Sequence, residues 1–432
     1  METIVLKFGG TSVGSTDRIS AVADLIKDAL NEASPVVVVS AMSGETNRLI
    51  ELAKSFGAEP NKREFDALVS TGVKVSASLV AIALNQLGLK AKSLSAAQVG
   101  MKTTAHFSRA KIIDLNNEII FQTIKDGYIP IITGFQGITD QGDTTTMGRG
   151  GSDTTAVAIA ASIKAKRCDI YTDVDGIYTT DPRIVPEAKK LDSISIEEML
   201  ELAGQGAKVM QTRAVEFANK YKVLVRVLSS FEPGSGTLIL QEEEGMEDAV
   251  ITGIASQENQ TKFTLHGVVD TPGIASGILS PISDAGIEVD VIVQNVSVSG
   301  KTDFTFTVGT SDRAEAETVL KEKMQGITYD ELMIDEGIGK VSLVGVGMRS
   351  HAGIASTAFN ALADAQEGFC PKLVVEANQV RSFARAYQAR NSCQNTKYRF
   401  RWLVSYKPGS KRFSYQISWE GNSSKSSTML AE

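Results

Sequence analysis

Short β-branched runs alternate with stretches of helical period over residues 1 to about 240. Apolar runs at Thr3–Phe8, Pro35–Ser40 and Tyr128–Thr133 predict strands, and the helical period at Arg18–Asn31 and Thr154–Ala165 predicts helices. The second apolar run has no polar alternation, which is typical of a central strand buried on both faces. Strands separated by helices of this length predict an α/β fold, with a mostly parallel sheet sandwiched by helices.

A different order of elements follows in residues 250–335. The pattern predicts, in sequence, strand Lys262–His266, helix Gly273–Ala285, strand Ile287–Val296, strand Thr302–Val308, helix Arg313–Met324 and strand Ile327–Ile334. This βαββαβ order is that of a split βαβ module. Between residues 1–245 and this module, the acidic stretch Gln241–Asp248 has no apolar period and predicts a solvated linker.

The second region contains an internal repeat. GIASGILSPISDAG at residues 273–286 matches GIASTAFNALADAQ at residues 353–366, and Gly267 and Gly347 keep the same offset. We therefore expect a second module to begin within residues 340–365, with a strand at Lys340–Val346 followed by a helix.

Residues 366–432 lose this pattern. They show neither strand alternation nor a clean helical period, and from Cys370 onward they carry 11 Lys and Arg against 3 Asp and Glu. The chain as a whole is acidic. Two interpretations stay open, an unusual C-terminal extension and a change of reading frame near Gln366, and we favour the second.

Composition narrows the classes of partner. The formal charge of −7 gives no basic field for nucleic acid or an anionic membrane, so a small molecule or a protein is the expected partner. The cysteines Cys168, Cys370 and Cys393 match no zinc or redox spacing, which suits a reducing cytoplasm. No uninterrupted apolar run approaches the length of a membrane span, so none is expected.

A glycine pair follows the first predicted strand, in KFGGTSVG at residues 7–14. Without Cβ atoms, Gly9 and Gly10 let the backbone approach an anion, and Lys7 adds a mobile positive charge. Thr11 and Ser12 supply hydroxyl donors or an N-cap for the helix that follows. A plain strand-to-helix turn explains the same letters equally well, because the chain has no Walker or dinucleotide-binding glycine pattern.

Two further polar loops follow predicted strands. In MGRGGSDTT, Arg149 beside two glycines can clamp a carboxylate or phosphate, while Ser152 or Asp153 serves equally well as a helix N-cap. In IYTDVDGIYTTDPR, a strand ends at Thr172 and a turn follows at Asp175-Gly176. We expect all three loops to meet at the carboxyl edge of the parallel sheet, where α/β proteins bind ligands.

Phosphoryl transfer is the chemistry that such loops support best. It requires positive charge and N–H donors around phosphates, with little covalent work by the protein. The three histidines lie outside all three loops. A substrate carboxylate, with a pKa of about 4, needs no histidine base because it is already ionised. The residues thus indicate a kinase acting on a carboxylate or a similar group.

The chain also resembles a known family, the aspartokinases of the amino-acid kinase superfamily with C-terminal ACT domains. The resemblance covers residues 1 to about 365 and rests on seven stretches in order: KFGGTSVG, VVVVSAMSGETN, GFQG, GRGGSDTTAVAIAA, YTDVDGIYTTDPR, EEMLELAGQGAKVMQTRAVEFA and VDVIVQNVS. It implies ATP-dependent phosphorylation of the side-chain carboxylate of L-aspartate to 4-phospho-L-aspartate. This reaction is the first step toward lysine, threonine and methionine.

The resemblance also implies roles for individual residues. Lys7 would stabilise the transferring phosphoryl group and Asp153 would hold Lys7 in place. Arg149, Ser152 and Thr46 would bind aspartate. The residues at nucleotide-binding positions are Lys7, Gly9, Gly10, Thr172, Asp173, Tyr178, Asp181, Arg183 and Lys208. Mg²⁺ would arrive with ATP rather than in a metal site of the protein's own.

The βαββαβ modules resemble ACT domains, which bind lysine or threonine as feedback inhibitors. Asp270, Gln294 and Asn295 match effector-binding positions. The resemblance further implies a homo-oligomer assembled through these modules.

One departure from the family pattern lies at the substrate end. The family has Thr-Gly-Glu where this chain has Thr71-Gly72-Val73, and that glutamate normally meets the α-ammonium group of aspartate. Because Val73 cannot pair with a cation, two alternatives to a fully active aspartate kinase stay open. One is a catalytically impaired, amino-acid-binding regulatory protein, and the other is a kinase for another small carboxylate.

Overall fold

The computed structural model describes residues 2–57, 60–148, 150–207, 209–241, 251–296, 300–324 and 326–345, and the backbone of strands at 400–405 and 414–419. These residues form two compact units. The first contains residues 2–178, 190–204 and 209–241. The second contains residues 179–189, 205–207 and the described residues from 251 onward.

An eight-stranded sheet forms the centre of the first unit, in the order β10-β12-β11-β9-β1-β2-β6-β3. Every pairing in it is parallel except β11 with β12, so the predicted mostly parallel sheet is confirmed. The strands are β1 (Thr3–Phe8), β2 (Ser34–Val39), β3 (Ala91–Leu94), β6 (Ile129–Thr133), β9 (Cys168–Thr172), β10 (Ser193–Ser195), β11 (Val225–Ser229) and β12 (Thr237–Leu240).

A smaller mixed sheet, in the order β5-β4-β7-β8, accompanies the large one. Its strands are β4 (Met101–Thr103), β5 (Ile112–Leu115), β7 (Gln136–Ile138) and β8 (Thr144–Thr146). These strands have only three or four residues each, which is too short for a readable alternation. The sequence pattern therefore did not predict this sheet.

Helices connect the strands of the first unit. They are α1 (Thr16–Ala29), α2 (Glu45–Lys54), α3 (Lys62–Val69), α4 (Thr71–Gln86), α5 (Glu118–Lys125), α6 (Gly151–Ser162), α7 (Ile196–Gly204) and α8 (Thr212–Tyr221). The predicted helix at Arg18–Asn31 is thus α1, shifted by two residues because Ser15 caps it by accepting from the N–H of Arg18. Thr11 and Ser12 do not cap this helix.

The two faces of β1 meet different helices. Ile4, Leu6 and Phe8 enter a core cluster that α1 and α4 cover. Since successive side chains of a strand point to opposite faces, Lys7 points to the other face. There Lys7 reaches Asp153 in the first turn of α6, whose residues 151–160 are all buried.

The stretch Lys62–Gln86, which contains α3 and α4, has the length and apolar composition of a membrane span, although the sequence expectation was that none occurs. Half of its most apolar window is buried inside the protein. Ala77, Val80 and Leu84 of α4 belong to the core cluster of the first unit. The core helix of a soluble protein can have the same length and apolar composition, so this stretch is weak evidence for a membrane span.

The second unit has an antiparallel sheet in the order β14-β15-β13-β16, with two helices. Its elements are β13 (Gly253–Val269), α9 (Ile274–Asp284), β14 (Val289–Val296), β15 (Lys301–Gly309), α10 (Arg313–Lys323) and β16 (Glu331–Val344). The predicted βαββαβ order is confirmed. Phe263, Phe304 and Phe306 anchor its core beneath α9 and α10.

Some expectations for the C-terminal half need correction. The strands predicted at Ile327–Ile334 and Lys340–Val346 are parts of one continuous strand, β16, because both parts pair with the long strand β13. Gly337, at positive φ, lies where the register of this pairing shifts. The tail contains two strands that the pattern did not predict, β17 (Phe400–Ser405) and β18 (Ser414–Trp419), paired antiparallel. The acidic linker and the second repeat helix lie outside the described residues.

Candidate active site

A buried ion pair joins the first glycine loop to α6. Lys7 Nζ lies 2.6 Å from Asp153 Oδ1, and the two side chains are only 10% and 11% exposed. Strand alternation aims Lys7 at α6, and Gly150, in the left-handed region at φ +68°, starts that helix. Asp153 is therefore not an N-cap, and neither is Ser152. The pair places a positioned cation at the carboxyl end of β1.

The two glycines of this loop do different things. A Cβ on Gly10 would lie 2.9 Å from the carbonyl oxygen of Ala41, so the close approach of two loops requires glycine there. The N–H of Gly9 donates to the carbonyl of Tyr171 at 3.1 Å. The N–H of Gly9 is therefore already paired within the protein. Among the described residues, the N–H of Gly10 meets no acceptor.

The second loop follows β8 and so begins in the small mixed sheet, not at the edge of the parallel sheet as expected. It nevertheless brings Ser152 to that edge, where Gly134 lies after β6. A Cβ on Gly134 would lie 2.7 Å from Ser152 Oγ, so glycine is required for this contact. Arg149 lies outside the described residues.

Asp66 is a residue of this region that the sequence did not single out. Its carboxylate is fully buried and accepts four hydrogen bonds, from the N–H and hydroxyl of Ser108 and from the N–H and hydroxyl of Thr146. Arg213 adds hydrogen bonds to the carbonyls of Met147 and Ala110. These contacts fix the start of the loop that carries Arg149. No local signal marks Asp66, because its partners are about 40 and 80 residues away in sequence.

The aspartate-binding candidates Thr46 and Val73 lie in the first turns of α2 and α4. Val73 is 1% exposed, so its apolar side chain is buried inside the protein. The neighbouring Gly72 faces α2, since a Cβ on it would lie 3.3 Å from Cγ of Glu45. Lys74 is exposed and does not add a second cation to the interior.

The third loop begins where β9 ends. Thr172 is half-buried and its hydroxyl donates to the exposed Asp173 at 3.0 Å. Tyr178 donates to Asp175 at 2.7 Å, and this bond, with burial, raises the pKa of Tyr178. Burial alone would raise the pKa of Asp175, but hydrogen bonds from Tyr178 and Lys190 outweigh it and lower that pKa.

The remaining nucleotide-binding candidates belong to the second unit or lie outside the described residues. Asp181 and Arg183 are in the second unit, where the exposed Arg183 donates to Asp181 at 2.8 Å. Lys208 lies outside the described residues. Within the described part of the chain, no three His, Cys, Asp or Glu side chains gather as a metal site.

Two of the three effector candidates, Asp270 and Gln294, meet in the second unit. The side-chain amide of Gln294, on β14, donates to Asp270 Oδ1 at 3.4 Å. Asp270 follows β13 and precedes α9, which begins after Gly273 in the left-handed region. Asn295 is paired with Asp303 in the backbone of β14 and β15, and its side chain lies outside the described residues. A polar pair therefore lies beside the N-terminus of α9.

Comparisons with known proteins agree with this architecture. The sequence profile of the Amino acid kinase family matches residues 2–229, and that of the ACT domain matches residues 265–323. An aspartate kinase of Pseudomonas fluorescens is 54% identical over 367 residues, which are 84% of this chain and 89% of that protein.

Solved structures of E. coli aspartokinase III are also similar. Its complex with aspartate and ADP is 26% identical with a TM-score of 0.76, covering 89% of this chain and 99% of that chain. Its complex with lysine and aspartate is 26% identical with a TM-score of 0.69, covering 91% and 100%. With the sheet, the lysine loop and the ACT-type module in place, the chain belongs to the aspartate kinases, phosphotransferases of the amino acid kinase family that carry ACT domains.

Proposed function

We propose that this chain transfers the terminal phosphoryl group of ATP to the side-chain carboxylate of L-aspartate. A carboxylate oxygen forms the new bond to phosphorus, the bond to the bridging oxygen of ATP breaks, and ADP leaves with 4-phospho-L-aspartate as the product. The observation that carries the proposal is the buried Lys7–Asp153 pair at the end of β1. The E. coli relative crystallised with aspartate and ADP supports the choice of ligands.

Electrostatics explains why this site suits the reaction. The aspartate carboxylate is ionised at neutral pH, so the protein needs no base, but it must offset the charge of two anions brought together. Lys7 supplies a cation that Asp153 holds in one orientation, and the N–H of Gly10 adds a donor. Gly9 lies beside this cation, since a Cβ there would be at the ordinary contact distance of 3.6 Å from Lys7 Nζ.

The two ends of the site would hold the two substrates. Thr172, Asp173, Tyr178, Asp181, Arg183 and Lys208 are proposed to bind ATP, with Mg²⁺ on its phosphates. Arg149 would clamp the α-carboxylate of aspartate, with Ser152 and Thr46 beside it. At position 73 a glutamate would pair with the ammonium group. Losing a charged contact of this kind costs about 1.5–3 kcal/mol, or roughly a factor of ten to more than a hundred in binding.

Trapping the acyl phosphate with hydroxylamine tests the proposal. Purified protein with ATP, Mg²⁺ and aspartate should form aspartyl hydroxamate, and Lys7→Met should lower the rate by a factor of roughly 10²–10³. Val73→Glu should raise the rate at low aspartate concentration. Val73→Gln should not, because glutamine has nearly the same shape as glutamate but carries no charge. Absence of hydroxamate from both the wild type and Val73→Glu would defeat the proposal.

Regulation is proposed to run through the ACT-type module, by lysine, threonine or both. The Asp270–Gln294 pair supports an amino-acid ligand, because it presents a carboxylate for an ammonium group beside a helix N-terminus for a carboxylate. We also propose a homo-oligomer assembled through these modules. Calorimetry with each amino acid, and sedimentation with and without it, tests both statements.

Val73 motivates the two alternatives. If the chain is a catalytically impaired regulatory protein, calorimetry detects lysine or threonine binding while no hydroxamate forms. If the chain is a kinase for another small carboxylate, a panel of such compounds yields a substrate better than aspartate. Turnover of aspartate above every other carboxylate excludes both.

We further propose the domain division 1–245 for catalysis, 250–335 for the first ACT-type module and 340–365 for the start of a second, in a cytoplasmic protein. Residues 366–432 are proposed to result from a change of reading frame. Repeated sequencing of the coding region around Gln366 decides this point, because an unbroken frame would leave only the C-terminal extension.

A further inference from the structure

Ser230, directly after β11, lies at a junction of two loops of the proposed site. Its N–H donates to the carbonyl of Thr172 at 3.0 Å, and its hydroxyl lies 3.3 Å from that same carbonyl oxygen. Its hydroxyl also lies 2.8 Å from the hydroxyl of Ser12 in the glycine loop. Ser12 is fully buried and Ser230 is 6% exposed, so water does not compete for these bonds.

The end of β9 is therefore held from both sides. On one side, Gly9 donates to the carbonyl of Tyr171, and on the other, Ser230 donates to the carbonyl of Thr172. The hydrogen bond between Ser230 and Ser12 links the segment after β11 to the segment after β1, across the end of β9. The loop that begins at Thr172 and the glycine loop that directly follows β1 and Lys7 are thus joined by one set of hydrogen bonds.

Arg18 of α1 fixes Ser230 in turn. Its guanidinium donates to the carbonyl oxygen of Ser230 at 2.5 Å and to the hydroxyl at 3.3 Å, and it lies 3.8 Å from the centroid of the Phe231 ring. The hydroxyl of Ser230 accepts from Arg18, and its one proton is donated to Ser12 at 2.8 Å, with the carbonyl of Thr172 as the longer alternative at 3.3 Å. A buried hydrogen-bonded network of this kind favours one arrangement of its members.

We infer that Ser12 and Ser230 are positioning residues for the nucleotide, which set the spacing between the lysine-bearing glycine loop and the loop that begins at Thr172. The inference rests on the proposed function, because only a nucleotide bound by both loops makes their spacing matter. Neither hydroxyl touches ATP in this account. Both hydroxyls act by holding in place the backbone segments that bind ATP.

The test measures KM for ATP, KM for aspartate, and melting temperature in Ser12→Ala, Ser230→Ala and the double variant. Each single variant should raise KM for ATP about three- to tenfold, the range expected from one neutral hydrogen bond, and should change KM for aspartate less than twofold. The double variant should match the singles rather than multiply them, because all three break the same link. Ser230→Thr, which keeps the hydroxyl, should stay near the wild-type KM for ATP.

Thr123→Val is the matched control, since Thr123 is also buried and its hydroxyl donates only to Ile119 within its own helix. It should lower the melting temperature as the serine variants do and leave KM for ATP unchanged. If turnover is too slow to measure, calorimetry with a non-hydrolysable ATP analogue and Mg²⁺ supplies the same comparison.

Serine variants that bind ATP within twofold of the wild type would overturn the inference while leaving the proposed function intact. A double variant whose effect equals the product of the singles would also overturn it. A wild-type chain that binds no nucleotide would contradict both this inference and the proposed function.

Discussion

Removing the carboxylate of Asp153 is the perturbation whose consequences the structure defines best. Asp153→Ala leaves the ammonium group of Lys7 in a site where both side chains are close to 10% exposed, with its partner at 2.6 Å gone. Taking one member from a buried ion pair costs about 3–5 kcal/mol, because the remaining charge is neither hydrated nor paired. We expect the free energy of unfolding to fall by about that amount.

A double variant separates stability from catalysis. Lys7→Met with Asp153→Ala leaves no lone charge, so it should recover more than half of the lost free energy of unfolding. It should not recover activity. Loss of one positioned electrostatic group at the transferring phosphoryl costs roughly a factor of 10²–10³ in kcat, and every variant that lacks Lys7 or its anchor should show a loss of this order.

Urea denaturation gives the free energies of unfolding, and initial rates of hydroxamate formation at saturating substrates give kcat. Recovery of stability without recovery of kcat is the expected pattern. If Asp153→Ala keeps kcat within threefold of the wild type, or unfolds within about 1 kcal/mol of it, the reasoning about this pair is refuted.

Three other predictions concern separate features. Val73→Glu should lower KM for aspartate about tenfold or more in initial-rate measurements, and an unchanged KM would contradict the proposed ammonium contact. Glu32 has its pKa lowered from 4.5 to about 2 by hydrogen bonds from Arg167. Because its folded-state pKa is depressed, the stability that Glu32 contributes is complete above about pH 4.5 and is lost as the pH falls toward 2. The free energy of unfolding, measured by urea denaturation at several pH values in this range, should therefore change less with pH in Glu32→Gln than in the wild type. Gly10→Ala should weaken ATP binding and lower the melting temperature, since its Cβ would lie 2.9 Å from a backbone carbonyl oxygen, whereas Gly9→Ala, with 3.6 Å to its nearest neighbours, should be much milder in the same assays.

The order of elements in both units was predictable because it depends on local periodicity. The strands β1, β2 and β6 occur within one residue of their predicted bounds, and the βαββαβ order of the second unit is as predicted. Boundaries moved where side chains outside the period decide them. Ser15 starts α1 by capping it, and Gly150 starts α6 by adopting a left-handed conformation.

The site was less predictable because its contacts join residues distant in sequence. The residues alone left KFGGTSVG at even odds between a phosphate loop and a plain turn, and the role of Asp153 came only from the family resemblance. Strand alternation then explains why Lys7 faces α6. The network around Asp66 and the Ser12–Ser230 contact carry no local pattern, since hydrogen bonds between loops have no sequence period.

A structure of the chain with a non-hydrolysable ATP analogue, Mg²⁺ and aspartate tests the central claim most directly. The account predicts Lys7 Nζ within about 3 Å of an oxygen of the terminal phosphate, still paired with Asp153, and the side-chain carboxylate of aspartate in line with that phosphate. A nucleotide bound elsewhere, or a terminal phosphate out of reach of Lys7, would contradict it.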